Sequence, residues 1–119
     1  MRQKVKLQPL ITLNAATTQS NIDAIAVGNN RSGVVFADVS AFGGTTFTIN
    51  IQTASHQPNL SENSGSVQYW KTIGTITVAT AAGLFSGNIT DLGEVIRWTI
   101  GAMTGTNSFE LTVFFSDQT

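Results

Sequence analysis

The residues that could do chemistry are few and widely spaced. The single histidine is His56, in the polar stretch 54–66, and the chain has no cysteine. A nucleophilic triad needs a base beside a serine or threonine, and a zinc site needs three or four nitrogen, sulfur or carboxylate ligands. One histidine without a cysteine meets neither requirement. The sequence therefore predicts neither a triad nor a bound metal ion.

The acidic residues form one candidate cluster, in "NITDLGE" at 88–94. Asp91 and Glu94 could act as paired carboxylates, and with Asn88 they could supply oxygen ligands for calcium. The spacing does not match an EF-hand loop, and a turn before a strand is the simpler interpretation. No glycine-rich phosphate loop is present. We expect no cofactor here and a protein that is not an enzyme.

Composition and charge narrow the class of protein. A length of 119 residues predicts one domain, and a charged fraction of 11% against an average of roughly 25% is typical of all-β chains. The net charge of −1 supplies no basic field for nucleic acid. No apolar run approaches the roughly 20 residues of a membrane span, and no signal-peptide pattern follows Met1. We expect a protein made in a cytoplasm, without a nucleic-acid or membrane partner.

Apolar and polar residues alternate with a period of two, which predicts strands rather than helices. The glycine-containing loop between the segments 34–41 and 47–53 predicts that these two strands pair as a hairpin. The apolar phase slips at Gly74, between Ile73 and Ile76, which predicts a β-bulge. The residues predicted to face the core are Val35, Ala37, Val39 and Ala41; Phe47, Ile49 and Ile51; Ile96, Trp98 and Ile100; and Phe109, Leu111, Val113 and Phe115.

About eight short strands with turn signals every 8–15 residues predict the fold class. Strands of this length must pack as two sheets, so we expect an all-β, two-sheet β-sandwich of the jelly-roll type. A seven-stranded immunoglobulin-like sandwich is the neighbouring alternative, but its cysteine signature is missing. Residues 1–13 are predicted as an N-terminal arm or edge strand, because Pro9 lacks a donor N–H. Residues 14–119 are predicted as a single sandwich domain.

The first candidate interface combines basic and aromatic residues. Arg2, Lys4 and Lys6 lie in the first 22 residues, which contain no acid, while all seven acidic residues follow. Phe36 and Phe114 lie off the main apolar parity of their strands, which indicates either a partner interface or strands buried on both faces. We expect these five residues to form a partner interface, with a disordered terminus as the alternative for the arm.

The second candidate surface is aromatic. Tyr69 and Trp70 are adjacent, so within a strand they point to opposite sides of a sheet. Together with the loop 54–66 they could form a platform on which a sugar stacks. Trp98 shares the parity of Ile96 and Ile100, and we therefore expect it in the core.

Residues 33–116 resemble small virion proteins of tailed bacteriophages. The resemblance rests on a pattern of strands and turns: Val34 to Val39, Thr48 to Gln52, Trp70 to Ile73, Arg97–Trp98, and Gly105 to Phe109. It implies a capsid decoration or cement protein, a jelly roll that binds the major capsid protein on the outer surface of the head and reinforces contacts between capsid subunits.

The resemblance further implies a homo-oligomer, a dimer or trimer, located on the virion and assembled in the host cytoplasm. No family residue with a chemical role carries over to this sequence. The alternative function is a carbohydrate-binding jelly-roll module, from a phage tail or a bacterial polysaccharide-degrading system, with Tyr69 and Trp70 as its platform.

Overall fold

The computed structural model describes residues 3–20, 23–27, 30–55, 69–79 and 81–116. Within these residues it contains nine β-strands and no α-helix. The strands are β1 (Gln3–Leu13), β2 (Thr17–Thr18), β3 (Ile25–Ala26), β4 (Ser32–Ala41), β5 (Phe47–Ala54), β6 (Lys71–Val78), β7 (Gly83–Thr90), β8 (Val95–Ile100) and β9 (Asn107–Phe115). In the described part of the chain, no helix is long and apolar enough to cross a membrane.

The strands form two antiparallel sheets whose order defines a jelly roll. One sheet has the order β1-β9-β4-β7, and the other has the order β2-β8-β5-β6, with β3 also paired to β8. The pairs are nested: apart from β3, the first strand pairs with the last, the second with the second-last, and so on inward to β5 and β6. A ribbon of such nested pairs, rolled into two facing sheets, is the jelly roll. The predicted fold class is confirmed.

The predicted hairpin between 34–41 and 47–53 is wrong. Strand β4 pairs with β7 and β9, whereas β5 pairs with β6 and β8, so the loop between them crosses from one sheet to the other. Residue alternation is the same in both arrangements, because each strand still has one buried face. A glycine-rich loop fits a tight turn within a sheet and an arch between sheets equally well.

The buried faces of the long strands are the ones that the alternation in the sequence predicts. In β4, Val35, Ala37 and Val39 are buried, while Ala41 at the end of the strand is half-buried. The predicted inward residues of β5, β8 and β9 are also buried, and Trp98 is only 1% exposed. The core therefore consists of the facing sides of the two sheets, as expected for a sandwich.

The β-bulge predicted at Gly74 is confirmed. Ile51 pairs with Gly74 and Gln52 pairs with Thr72, so Ile73 is the extra residue on β6. Glycine is required here because a Cβ on Gly74 would lie 2.5 Å from the carbonyl oxygen of Asn88 on β7. The bulged strand thus approaches the neighbouring sheet closely, and the two sheets meet at this side of the sandwich.

On the other side, the side-chain amides of Gln8 and Gln19 join β1 to β8. The Gln19 side chain donates from Nε2 to the carbonyl oxygen of Leu7 at 2.9 Å and accepts from the backbone N–H of Trp98 at 3.2 Å. The Trp98 indole Nε1 donates to Gln8 Oε1 at 3.1 Å. These bonds give the buried polar groups partners, which is the condition for leaving them in the core.

Candidate functional site

The outer surface of the four-stranded sheet carries a shallow groove of about 390 Å³. All four strands contribute to it, since their outward positions are aligned by the register of the sheet. We call this surface the outer-face patch, and it is formed by Lys4, Lys6, Phe36, Asp38, Leu84, Glu110, Thr112 and Phe114.

Four of the five residues predicted as a partner interface lie in the outer-face patch. Lys4 and Lys6 come from β1 and Phe114 comes from β9, near opposite ends of the chain, and Phe36 comes from β4. Arg2 lies outside the described residues. The side chains meet because β9 lies between β1 and β4, an arrangement that the sequence does not reveal.

An aromatic pair forms the centre of the outer-face patch. The rings of Phe36 and Phe114 contact edge to face, with centroids 5.5 Å apart and an interplanar angle of 90°. Edge-to-face contact is one of the two arrangements that aromatic quadrupoles favour. Both residues are half-buried, so the alternative of burial on both faces of their strands does not apply. The pair presents a rigid apolar surface to solvent.

Charged side chains surround the two rings. Lys6 Nζ lies 3.3 Å from Glu110 Oε1, with the two side chains 43% and 35% exposed. Lys4 Nζ lies 6.0 Å from the Phe114 ring centroid, at the outer limit of a cation–π contact. Asp38 is exposed and makes no ion pair within the described residues. A surface pair of this kind contributes about 1 kcal/mol or less to stability, so these charges are available for recognition.

Sequence reasoning missed four members of the outer-face patch: Asp38, Leu84, Glu110 and Thr112. Asp38 and Glu110 look like ordinary solvated residues in the sequence, although each alternates with core residues on a strand that is otherwise apolar. Leu84 is 66% exposed, an unusual position for a leucine on a strand. The alternation in the sequence shows that Asp38, Glu110 and Thr112 point outward, but the proximity of all four missed residues to one another depends on strand order.

The predicted sugar platform lies on a different part of the molecule. Tyr69 is 79% exposed, and Trp70 is half-buried beside it, just before β6. The guanidinium carbon of Arg97 lies 4.2 Å from the Trp70 ring centroid, and Arg97 Nε donates to Gln52 Oε1 at 2.9 Å. Burial lowers the pKa of Arg97 from its usual value, and the group stays charged because a guanidinium titrates far above neutral pH.

The described candidates for catalysis and metal binding do not form a cluster. His56 and most of the loop 54–66 lie outside the described residues. Asp91 and Glu94 are both exposed on the turn between β7 and β8. Within the described ranges, no group of three or more histidine, cysteine, aspartate or glutamate side chains could hold a metal ion.

Comparisons with protein families, with curated proteins and with solved structures found no match for this chain.

Proposed function

We propose that this chain is a non-enzymatic virion structural protein, a capsid decoration or cement protein that binds the outer surface of a phage head. Its partner is the major capsid protein, whose contacts it reinforces, and it works as a homo-oligomer on the virion. The observation that carries the proposal is the outer-face patch, where Lys4, Lys6, Phe36 and Phe114 converge on one rigid sheet.

The composition of the outer-face patch supports contact with protein rather than with a small molecule. Aromatic residues at the centre with charges at the rim are typical of protein interfaces, where a few buried aromatic anchors carry most of the binding free energy. The groove is open on a flat sheet face, whereas small-molecule sites enclose most of their ligand. The strand-and-turn resemblance to phage virion proteins then suggests the particle on which this contact is made.

Binding to undecorated tailed-phage heads tests the proposal. Mixed with such heads and sedimented, the wild-type chain is expected to pellet at a fixed copy number per capsomer. The double variant Phe36→Ser with Phe114→Ser removes the aromatic anchors and is expected to weaken binding at least about tenfold. The matched control is Thr48→Ser with Thr77→Ser, two outward positions of the five-stranded sheet. Free wild-type chain that stays in the supernatant at every concentration would contradict the proposal.

A second candidate function is binding of carbohydrate at Tyr69 and Trp70. The observation that favours it is the 79% exposure of Tyr69 beside a tryptophan that is itself partly accessible. Aromatic rings at a protein surface provide faces on which a sugar ring can stack. On a glycan array, this candidate predicts hits that Trp70→Phe weakens.

Tryptophan fluorescence gives an independent reading of the second candidate. Trp98 is 1% exposed and acts as an internal reference, so a sugar-dependent change must arise at Trp70. A blank array together with fluorescence that does not respond to sugars would exclude the carbohydrate function.

A further inference from the structure

The outward side chains of the outer-face patch form three rows across the sheet, set by the strand register. The first row is Lys4, Phe114 and Val34; the second is Lys6, Thr112 and Phe36; the third places Glu110 beside Asp38. The two cations therefore lie on the β1 side of the first two rows. The two anions lie toward the diagonally opposite corner, with Glu110 close enough to pair with Lys6 of the same chain. Phe114 lies beside Lys4, and Phe36 lies beside Asp38 on β4.

We propose that a second copy of this chain covers the outer-face patch, related to the first by a two-fold axis in the plane of contact that passes over Thr112. The proposal rests on the proposed function only in treating this patch as a surface for protein contact. It names the partner of the patch as the chain itself, so that the protein reaches its target as a dimer. Loss of the patch then weakens head binding because a single copy offers the head half the contacts of the dimer.

The charge pattern carries the proposal, because it is complementary to itself. Neighbouring strands lie about 4.8 Å apart, and alternate residues lie about 6.7 Å apart along a strand. Lys4 and Asp38 are two strands and two rows apart, so their Cα atoms are about 16 Å apart, with Thr112 near the midpoint. A two-fold axis perpendicular to this diagonal places each Lys4 opposite Asp38 of the other copy. The same rotation places Lys6 opposite Glu110.

The aromatic pair fits the same operation. Phe114 and Phe36 lie on opposite sides of the axis, so each Phe114 ring is placed over Phe36 of the other copy. A two-fold interface is isologous, which means that every contact occurs twice. Two cations and two anions balance within the patch. A surface whose charges were mostly of one sign would instead favour a partner of opposite charge, and the charges of this patch are not mostly of one sign.

Charge reversal tests the proposal on the purified full chain. Light scattering during size-exclusion chromatography is expected to give a dimer for the wild type. Lys4→Glu and Asp38→Lys each create two like-charge contacts, so each is expected to raise the dimer dissociation constant about 100-fold or more. The controls are Lys71→Glu and Glu94→Lys, which make the same charge changes at exposed positions outside the patch, and both are expected to remain dimers.

Two rescue experiments separate pairing from general electrostatic effects. In the double variant K4E/D38K the charges at positions 4 and 38 are exchanged, so each contact between these positions is again attractive and the dimer is expected to return. An equimolar mixture of the K4E and D38K chains is expected to form a heterodimer for the same reason. A wild-type monomer at about 1 mM, the weak limit of measurable association, would overturn the proposal. So would single variants that dimerise normally, or rescues that stay monomeric.

These outcomes are independent of the outcome with phage heads. A chain that dimerises through the outer-face patch but ignores heads keeps this inference and removes the cement function. A chain that is monomeric but pellets with heads, and loses that binding in the F36S/F114S variant, keeps the cement function and overturns the dimer.

Discussion

Asn107 illustrates how a single buried polar side chain fixes the arched loops of this sandwich. It is 0% exposed, and its Oδ1 accepts from the backbone N–H of Gly43 at 2.7 Å. Its Nδ2 donates to the carbonyl oxygen of Thr104 at 3.2 Å. The β4–β5 loop is thereby tied to the start of β9. At the same place Gly105, with φ of +73°, lies against Gly43, where a Cβ would be 2.6 Å from the Gly43 carbonyl oxygen.

We predict that Asn107→Ala lowers the free energy of unfolding by about 2–3 kcal/mol. The substitution removes the part-buried hydrogen bonds to the backbone N–H of Gly43 and to the carbonyl oxygen of Thr104, each worth about 0.5–1.5 kcal/mol. It also removes the packing of a side chain that is 0% exposed, which adds to the loss. Urea denaturation followed by tryptophan fluorescence measures the change. Thr106→Ala, at an exposed neighbouring position, is the control and is expected to change stability by less than about 0.5 kcal/mol. Equal effects of the two substitutions would contradict this role.

At the scale of elements, the strand edges decide how the two sheets close. Strand β6 approaches β7 at two glycines, since a Cβ on Gly87 would lie 2.4 Å from the carbonyl oxygen of Thr75 and one on Gly74 would be equally crowded. On the other side, β1 is an edge strand that pairs only with β9 among the described strands. Pro9 and two register shifts interrupt its hydrogen bonding, as is common for strands that avoid pairing with another chain.

We predict that Gly74→Ala and Gly87→Ala each lower stability by about 1–3 kcal/mol. In both cases the added methyl group meets backbone atoms, which cannot rotate away, so the two sheets must separate locally. The control is Gly101→Ala, where a Cβ meets no atom within 4 Å. It is expected to be neutral or slightly stabilising. Thermal unfolding of the three variants measures the difference, and a Gly74→Ala variant as stable as Gly101→Ala would refute the close approach.

We also predict that deleting residues 1–8 destabilises the fold by at least about 3 kcal/mol. The deletion removes the paired half of β1, the burial of Leu7, which is 2% exposed, and the hydrogen bond from Trp98 to Gln8. Burial of one leucine contributes about 1.5–3 kcal/mol, and one hydrogen bond about 1 kcal/mol. Calorimetry of the truncated chain measures the loss.

Because of this expected loss, truncation cannot isolate the role of the basic residues in binding. The variant Lys4→Ala with Lys6→Ala keeps the strand and is expected to cost less than about 1 kcal/mol. It is therefore the suitable variant for testing whether the charges of β1 contribute to head binding. A truncated chain as stable as this double variant would show that β1 contributes little to the fold.

At the scale of the whole molecule, the two candidate surfaces are carried by different sheets. The outer-face patch lies on the four-stranded sheet, whereas Arg97 and Gln52, which hold Trp70, lie on the five-stranded sheet. The shortest dimension of the molecule is 19 Å, and the packed core fills the space between the sheets. One face is thus free to bind when the other is covered.

We predict that variants of the two surfaces act independently. Tyr69→Ser is expected to leave both dimerisation and head binding unchanged, and Phe36→Ser is expected to leave any sugar response of Trp70 unchanged. Distant sites without shared partners usually combine additively, within about 0.3–0.5 kcal/mol. The double variant Y69S/F36S measures the coupling by chemical denaturation. A coupling well above that range would mean that the two faces communicate through the core.

Local pattern alone was enough to predict much of the fold. The alternation in β4, β5, β8 and β9 gave their buried faces, because a strand has a period of two whatever it pairs with. The slip at Gly74 gave the bulge for the same reason. The short segment 22–27 was less informative, and among its described residues the structure has a strand only at Ile25–Ala26. Two-residue strands such as β2 leave too short a pattern to recognise.

The sequence by itself determined which side of each long strand is buried and that the strands form a two-sheet sandwich. It also placed Phe36 and Phe114 off the apolar parity of their strands, with a partner interface and burial on both faces as the two alternatives, and it showed that the N-terminal segment is basic. Only the tertiary structure decided that the loop after β4 crosses between sheets and that β9 lies between β1 and β4. That order brings Lys4, Phe114 and Phe36 together, since contacts between distant segments depend on strand pairing and not on the local period.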